Sequence, residues 1–281
     1  MNFTGAHILS IKQFERGDIQ RIFDVADAME PYALRRKVTR VLEGAILGNM
    51  FFEPSTRTRV SFGSAFNLLG GNVRETTGFE SSSLTKGESL FDTARVLSGY
   101  SDVICMRHPQ AGSVAEFAEG SRVPVINGGD GANEHPTQAL LDLYTIRKEL
   151  RTAGHAVTIT DDLHNSISNI DIAYSTRIQE ERFASKEEAD QYRGRFRLNQ
   201  TIYTQYCEPN TVIMHPLPRD SRADANELDN DLNANPNLAI FRQTDNGVLV
   251  RMALFALVLD VADQVDKFSR EVNWYNSLRS N

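Results

Sequence analysis

Hydroxyl and guanidinium groups are concentrated in one stretch, directly after a short apolar run that ends before Glu53. The stretch consists of Ser55, Thr56, Arg57, Thr58 and Arg59. An apolar helical pattern begins at once, so these residues are predicted to start a helix. Helix N-termini attract anions, because their first N–H groups lack partners within the helix and the helix dipole is positive there. Added hydroxyl donors and guanidinium charge favour a phosphate site over an ordinary capped helix.

Polar side chains also occur where other predicted elements begin or end. They are Arg107, His135, Gln138, Arg177, Gln179 and His215. In open parallel α/β sheets, ligands bind beyond the carboxyl ends of the strands. His135 and Gln138 are three residues apart and can face one point across a helical turn. The sequence contains no Walker-type loop, no nucleophile beside a base and no metal-ligand cluster. The predicted chemistry is therefore electrostatic: the site would bind a phosphorylated substrate and stabilise charge as phosphate leaves.

Short apolar runs alternate with helical patterns along the chain, which favours parallel α/β sheets. Strands are predicted at 45–52, 73–76, 102–106, 123–127, 157–160, 172–175, 212–214 and 238–241. Helices are predicted at 57–69, 89–98, 113–119, 137–150 and 248–265. The stretch 220–237 is rich in Asp and Asn and is predicted to be a loop with one short helix.

Length, charge and cysteine content limit the class of protein. The 281 residues suffice for one large or two modest domains. A net charge of -7 argues against a nucleic-acid partner. Cys105 and Cys207 are far apart, which is typical of a reducing compartment without disulfides. Residues 1–5 lack a signal pattern and the apolar run 253–261 is too short to cross a membrane, so a cytoplasmic protein without membrane contact is expected.

Four of the polar stretches form a recognisable set. They are Ser55-Thr56-Arg57-Thr58-Arg59, Arg107-His108-Pro109, His135-Pro136-Thr137-Gln138 and His215-Pro216-Leu217-Pro218. Together they resemble the motifs of the aspartate/ornithine carbamoyltransferase family, over most of residues 6–150 and 170–262. Residues 176–183 and 215–219 resemble the aspartate branch. The ornithine branch would carry Cys in place of Pro216 and a Ser-Met-Gly segment that is absent here.

The resemblance implies a fold of two parallel-sheet α/β domains joined by two long helices. A carbamoyl phosphate domain would span 1–135 with 247–281, a connecting helix 136–150, and an aspartate domain 151–246. The implied reaction transfers the carbamoyl group of carbamoyl phosphate to L-aspartate, a step of pyrimidine biosynthesis, with no cofactor or metal. The implied assembly is a homotrimer with shared active sites, with regulatory or dihydroorotase chains as further candidate partners.

The resemblance also implies roles for individual residues around carbamoyl phosphate. The phosphate would be held by Ser55, Thr56, Arg57 and Thr58. Thr58, Arg107 and His135 would surround the carbamoyl oxygen and stabilise it as an oxyanion, and Gln138 would accept from the carbamoyl amide. The amine of the second substrate is itself the nucleophile, so the protein needs to supply positioning and oxyanion donors rather than a covalent residue.

A second set of residues is implied to bind aspartate. Arg177 and Gln179 would contact it, and the backbone carbonyls near Pro216 and Leu217 would orient its amine. Two residues, Ser83 and Lys86, would enter the site of a neighbouring subunit.

The chain departs from the family after the helix predicted to end near Leu150. Residues from there pass almost directly to the run 157–160 and then to 172–175, so about fifty residues, roughly a third of a typical domain, are missing. The missing block would hold two strands and an arginine that binds the substrate carboxylates, and Arg147 and Arg151 lie at the wrong place to replace it. Loss of one bidentate partner predicts aspartate binding weaker by about 2–5 kcal/mol. We expect 157–160 to pair beside 172–175 in a smaller sheet.

Three functions remain open on the sequence alone. The chain is an active aspartate enzyme, a carbamoyltransferase with another amine acceptor, or a catalytically weak structural or regulatory subunit. The intact phosphate motif argues against the last, whereas the missing block argues for it. A further alternative is that the sequence omits a segment of a longer natural protein.

Overall fold

Strands and helices alternate along most of the computed structural model, which describes residues 1–77, 87–150, 166–180, 183, 185–192, 194–220, 222 and 225–274. The chain divides into two units, one formed by Met1–Leu141 with Gly247–Asn281 and the other by Asp142–Asn246. In the part that is described, no helix has both the length and the apolar character needed to span a membrane.

The strands are β1 (Lys37–Thr39), β2 (Ile46–Phe51), β3 (Asn72–Thr77), β4 (Val103–His108), β5 (Val125–Asp130), β6 (Ile172–Tyr174), β7 (Val212–Met214) and β8 (Ser269–Glu271). The α-helices are α1 (Arg16–Ala28), α2 (Glu30–Ala33), α3 (Thr56–Leu68), α4 (Leu90–Leu97), α5 (Ser113–Gly120), α6 (Pro136–Leu150), α7 (Lys186–Asp190), α8 (Gln200–Tyr206) and α9 (Ile240–Val258).

A parallel four-stranded sheet with the order β3-β2-β4-β5 forms the centre of the first unit. The predicted strands and the predicted helices α3, α4 and α5 of this region are confirmed. All residues of β5 are buried, as expected for a parallel strand covered on both faces. One core cluster on this sheet comprises Met50, Phe52, Ala94, Ile104, Met106, Val114, Phe117, Ala118 and Val125. The helix α1 and the antiparallel pair β1–β8 were not predicted.

The second unit contains a much smaller sheet in its described part. Strands β6 and β7 pair in parallel, with Ile172 opposite Val212 and Tyr174 opposite Met214. The predicted strand 238–241 is wrong, since Leu238 makes only a single bridge to Ile213. The core here comprises Ile167, Ala173, Leu198, Tyr203, Ile213, Leu228, Leu232, Leu238 and Ile240. The run 157–160 lies outside the described residues, and its predicted pairing stays a prediction.

Helices α6 and α9 each continue from one unit into the other. The sequence prediction places α6 well, including Pro136 at its first position, where the missing N–H costs no helical bond. The predicted extent of α9 is wrong: it starts already at Ile240 and ends at Val258, and a 3-10 helix spans Ala262–Phe268. Its polar first turns are held by hydrogen bonds within the second unit. Arg242 bonds Glu149, Gln243 bonds Asp142, and Asn246 bonds Thr145.

Candidate active site

The predicted phosphate stretch starts α3 immediately beyond the end of β2. Ser55 precedes the helix with extended φ of -158°, and its side chain makes no capping hydrogen bond to the first turn. A serine at this position ordinarily accepts from an N–H of that turn. Thr56 and Arg57 are exposed, and Ser55 and Thr58 are half-buried. The turn therefore offers hydroxyls, a guanidinium and the positive end of a helix at one accessible place.

Arg59 does not add its charge to that turn as the sequence suggested. Its Nη1 lies 2.9 Å from Glu75 Oε2 on β3. Asn49 on β2 donates to both the Arg59 carbonyl and Glu75 Oε1, each at 3.1 Å. The charge of Arg59 is thus balanced by a neighbouring carboxylate, and Arg57 supplies the guanidinium of the turn.

Arg107 lies near the end of β4, beside the end of β2, since Phe51 and Arg107 are register partners. Its Nε donates to Glu53 Oε1 at 2.5 Å, and its Nη1 donates to the carbonyl of Gly128 at 3.1 Å. Gly129 has φ of +119°, and a Cβ there would lie 2.9 Å from Nη1 of Arg107. The glycine therefore leaves room for the guanidinium between the ends of β2 and β5.

A buried carboxylate fixes the loop from β5 to α6. Asp130 accepts hydrogen bonds from the N–H groups of Gly112 at 2.9 Å and Glu134 at 2.8 Å. The side-chain amides of Asn127 and Asn133 donate to it as well. Burial raises the pKa of Asp130, but the bonds from Asn133, Gly112 and Glu134 outweigh it and leave that pKa below the ordinary value. The loop that delivers His135 is accordingly well defined.

His135 ends this loop, and its carbonyl accepts from Gln138 and Ala139 in the first turn of α6. The pKa of His135 is held well below its ordinary value, first by burial and then by the positive charges of Arg107 and Arg251. A neutral imidazole can donate one hydrogen bond to a developing oxyanion. Gln138 is half-buried three residues further along the same helix.

Two polar segments leave the same edge of the small sheet in the second unit. Arg177 and Gln179 follow β6, while Pro216 and Leu217 follow β7. The N–H of Ser175 donates to the Met214 carbonyl at 2.9 Å, which keeps the two segments adjacent at their start. All four predicted residues are half-buried. The pKa of Asp220 is lowered to about 2, chiefly by hydrogen bonds from Arg222 and further by the charge of Arg177.

His215 is buried and hydrogen-bonded on three sides. Its backbone N–H donates to Gln243 Oε1 at 2.9 Å, and its ring Nδ1 accepts from the Leu217 backbone N–H at 2.8 Å. Its Nε2 lies 2.8 Å from Glu227 Oε1. Leu217 has φ of +58° and is joined to Pro218 by a cis peptide bond.

The structure thus gathers the predicted residues into two groups, one in each unit. The first group, with Arg57, Arg107 and His135, lies at the ends of neighbouring strands of one sheet. The second group follows β6 and β7, and Ser83 and Lys86 lie outside the described residues. Sequence reasoning missed Glu53, Glu227 and Arg251; of these only Glu53 had a signal, its place directly before the phosphate motif. In the described residues no cluster of His, Cys, Asp and Glu is suited to hold a metal.

Two family models match the chain. The carbamoyl-phosphate-binding domain of the aspartate/ornithine carbamoyltransferases matches residues 6–148, and their Asp/Orn-binding domain matches residues 134–258. The aspartate carbamoyltransferase catalytic subunit of Cellvibrio japonicus is 75% identical over 100% of both chains. That of Saccharophagus degradans is 70% identical over 99% of both.

The alignment with the Cellvibrio protein also tests the predicted deletion. It spans 338 residues against the 281 of this chain, a difference of 57. The prediction that about fifty residues are missing is therefore confirmed.

Solved structures of the same kind share the fold. The aspartate transcarbamoylase of Trypanosoma cruzi in complex with aspartate and phosphate has a TM-score of 0.82 and 31% identity. The match covers 92% of this chain and 98% of that one. The same enzyme in complex with carbamoyl phosphate and aspartate gives a TM-score of 0.81 and 31% identity, with the same coverage.

Proposed function

Since this chain belongs to the aspartate/ornithine carbamoyltransferase family, we propose that it transfers the carbamoyl group of carbamoyl phosphate to the amine of L-aspartate. The amine nitrogen attacks the carbamoyl carbon, the bond from that carbon to the phosphate oxygen breaks, and the amine loses a proton. N-carbamoyl-L-aspartate and phosphate result. The observation that carries the proposal is the convergence of the Ser55–Thr58 turn, Arg107 and the His135 loop on the ends of neighbouring strands.

The phosphate half of the site is proposed to be the first turn of α3. Ser55, Thr56, Arg57 and Thr58 bring hydroxyl, guanidinium and backbone donors to one point. Because the Ser55 side chain does not cap the helix, it can donate to a phosphate oxygen instead. These contacts hold the ground state and strengthen as the leaving phosphate gains charge.

The carbamoyl oxygen is proposed to lie among Thr58, Arg107 and His135. Arg107 is oriented by Glu53 and by the Gly128 carbonyl, so its remaining N–H groups have a fixed direction. His135 stays neutral because its pKa is depressed, and it donates rather than repels as charge builds on the oxygen. Gln138, on the same turn, accepts from the carbamoyl amide.

The acceptor half is proposed to be Arg177, Gln179 and the carbonyls of Pro216 and Leu217. Arg177 provides one cation for the two carboxylates of aspartate, and the carbonyls accept from the amine. The family resemblance implies that the residues absent from this chain would have supplied another arginine. We therefore expect aspartate to bind about 2–5 kcal/mol more weakly than in a complete second domain.

We propose a homotrimer in which Ser83 and Lys86 complete a neighbour's site. Large apolar side chains on and after α4 support a subunit contact, because Phe91, Val96 and Tyr100 are 48%, 49% and 68% exposed. A cytoplasmic location is proposed on the two free thiols, Cys105 and Cys207. Regulatory or dihydroorotase chains stay candidate partners.

The decisive experiment measures carbamoyl-amine formation with wild type, Arg57→Ala and Arg59→Ala. We expect Arg57→Ala to lower kcat by about 10³-fold, as for loss of an oxyanion-type donor. Arg59→Ala is the matched control, since Arg59 pairs with Glu75, and should stay within about tenfold of wild type.

The same assay separates the alternatives when aspartate is compared with ornithine and other amines. Product from another amine at a higher rate would replace aspartate as the acceptor. No product above the Arg57→Ala level with any amine would favour a structural or regulatory subunit.

A further inference from the structure

The chain that follows β7 is held at two positions, His215 and Asp220, by one buried side chain. Glu227 Oε1 lies 2.8 Å from Nε2 of His215, at the start of the loop. Both carboxylate oxygens of Glu227 also accept from the N–H of Asp220, at 3.1 and 3.2 Å, five residues beyond His215. Glu227 is 4% exposed and His215 is 1% exposed, so water does not replace these partners.

The hydrogen bonds fix which ring nitrogen of His215 carries the proton. The Leu217 N–H donates to Nδ1 at 2.8 Å, so Nδ1 must be unprotonated. Nε2 therefore carries the proton, and this N–H donates a hydrogen bond to Glu227 Oε1. A carboxylate at this position stabilises that tautomer, in the way that second partners orient histidines elsewhere.

Leu217 needs this support because of its backbone conformation. Its φ of +58° lies in the left-handed region, which residues with a Cβ rarely adopt without surrounding contacts. The bond to Nδ1 of His215 is the contact that holds its N–H. The direction of the neighbouring carbonyls at positions 216 and 217 depends on the same backbone angles.

We infer that Glu227 is a positioning residue for the acceptor amine, acting through His215 on the backbone of Pro216 and Leu217. The inference rests on the proposed function, in which the carbonyls of these two residues accept from the amine of aspartate. Without the carboxylate, His215 is free to carry its proton on Nδ1, where it opposes the Leu217 N–H. The carbonyls then lose their fixed direction toward the amine, while the phosphate turn of the first unit is untouched.

The first test reads the tautomer directly and needs no activity. The ring ¹⁵N shifts of histidine-labelled protein, with His215 assigned through His215→Gln, should show a protonated Nε2 and an unprotonated Nδ1 in wild type. Glu227→Gln should shift His215 toward a mixture of tautomers. A wild-type His215 protonated on Nδ1, or an unchanged spectrum in Glu227→Gln, would overturn the inference.

The second test is kinetic and uses Glu227→Gln, Glu227→Ala and Glu208→Gln. We expect kcat/KM for aspartate to fall about tenfold in Glu227→Gln and about a hundredfold in Glu227→Ala. The KM for carbamoyl phosphate should stay within about twofold, a split that mere loss of stability would not produce. Glu208 is an exposed glutamate of the same unit, and its Gln variant is the control that should match wild type.

The two tests separate failure of the inference from failure of the proposed function. If wild type forms no carbamoyl-aspartate, the proposed function fails, and the ¹⁵N spectrum still decides the link between Glu227 and His215. If wild type is active and both Glu227 variants keep its kcat/KM for aspartate, the inference is wrong. If Glu227→Ala does not fold, Glu227→Gln decides, because it keeps the volume of the side chain.

Discussion

The two units differ in how large a sheet supports their predicted binding residues. In the first unit, four parallel strands of six residues each carry the phosphate turn, Arg107 and the His135 loop. In the described part of the second unit, two strands of three residues each carry Arg177, Gln179 and the 215–217 loop. The position of a set of binding residues depends first on the strands that these residues follow. Both strands that carry the predicted acceptor residues are present, although the chain is 57 residues shorter than its relative.

The units also differ in the charges that they direct at a ligand. In the first unit, Arg57 lies on a turn that a helix dipole already makes positive, and Arg107 is oriented by Glu53. In the second unit, Arg177 lies near the carboxylate of Asp220 and lowers its pKa. A substrate carboxylate must therefore compete with a resident one for Arg177. Arg107 has a resident carboxylate too, Glu53, so the units differ chiefly in the helix start that adds positive potential around Arg57.

Restoring the missing block should have the largest effect. With the corresponding residues of a full-length relative inserted between 150 and 166, we expect kcat/KM for aspartate to rise by about 30- to 4,000-fold, because a second carboxylate partner is regained. Steady-state kinetics would measure this, and the KM for carbamoyl phosphate should not change.

Two insertions serve as controls for the restored protein. A Gly/Ser segment of equal length should give no gain, and neither should the restored block with the family's carboxylate-binding arginine changed to alanine. An unchanged aspartate dependence in the fully restored protein would contradict the expected weak binding of aspartate, since it would show that the short unit binds aspartate fully by itself.

The rate of amide hydrogen exchange should differ by about a hundredfold between the two sheets. The N–H of Ile104 on β4 bonds Pro124 within the larger sheet, whereas the N–H of Ser175 bonds Met214 beside the smaller one. Local opening should cost less where fewer strands support a bond, so Ser175 should exchange faster by about 2–3 kcal/mol of opening free energy. Equal protection at both amides would mean that the short sheet is as stable as the long one.

Substitution of Gly129 should weaken the first unit's site by about tenfold. The new Cβ of Gly129→Ala would meet Arg107 Nη1 at 2.9 Å and push the guanidinium from its place. Gly44→Ala is the matched control, because Gly44 also has positive φ but has nothing within 4 Å of its added Cβ.

The two glycine variants should share one effect and differ in another. Both should lose about 1–2 kcal/mol of unfolding free energy from the left-handed backbone. Only Gly129→Ala should lose kcat, measured with both substrates saturating. Equal kcat values in the two variants would argue against a role of Arg107 at the carbamoyl oxygen.

The smallest expected effect is a pH dependence of stability from His135. Its pKa is depressed in the folded protein, so the unfolded chain takes up the proton first as pH falls below about 6.5. The free energy of unfolding should therefore decrease as the pH is lowered, and this residue contributes at most about 1.4 kcal/mol per pH unit. Urea unfolding of wild type and His135→Asn between about pH 7.5 and 5.5 would measure it.

Two other histidines act in the same direction and set the background for that measurement. Burial lowers the pKa of both His7 and His108. His135→Asn should thus keep a reduced slope rather than none. A slope equal to that of wild type would mean that His135 is not held neutral by the fold.

Local patterns predicted the parallel strands of the first unit because short apolar runs that end in polar residues and alternate with helical patterns favour buried parallel strands. The strand predicted at 238–241 was wrong, since four apolar residues fit a strand or a buried helix equally well. The true start of α9 depends on bonds from Arg242, Gln243 and Asn246 to α6, about a hundred residues earlier in the chain. The pair β1–β8 also joins segments that are far apart in the chain, so no local pattern predicts it.

The helix start that carries the predicted phosphate residues 55–58 was predictable, because a single short motif marks it. The site was not predictable where a charge acts through a partner from elsewhere in the fold. Arg59 belongs to the motif but pairs with Glu75, and Glu227 bonds His215, which lies twelve positions earlier in the chain. Such pairings are decided by packing, which the order of residues along the chain does not display.

The unused cap of Ser55 also affects how stable the folded protein is in different surroundings. A helix start without its side-chain cap is less stable by about 1 kcal/mol. An anion bound there supplies the missing acceptor, and a ligand at a hundred times its Kd adds about 2.7 kcal/mol to the free energy of unfolding. The proposed phosphate turn would thereby couple the folded population of the protein to the concentration of phosphate compounds around it.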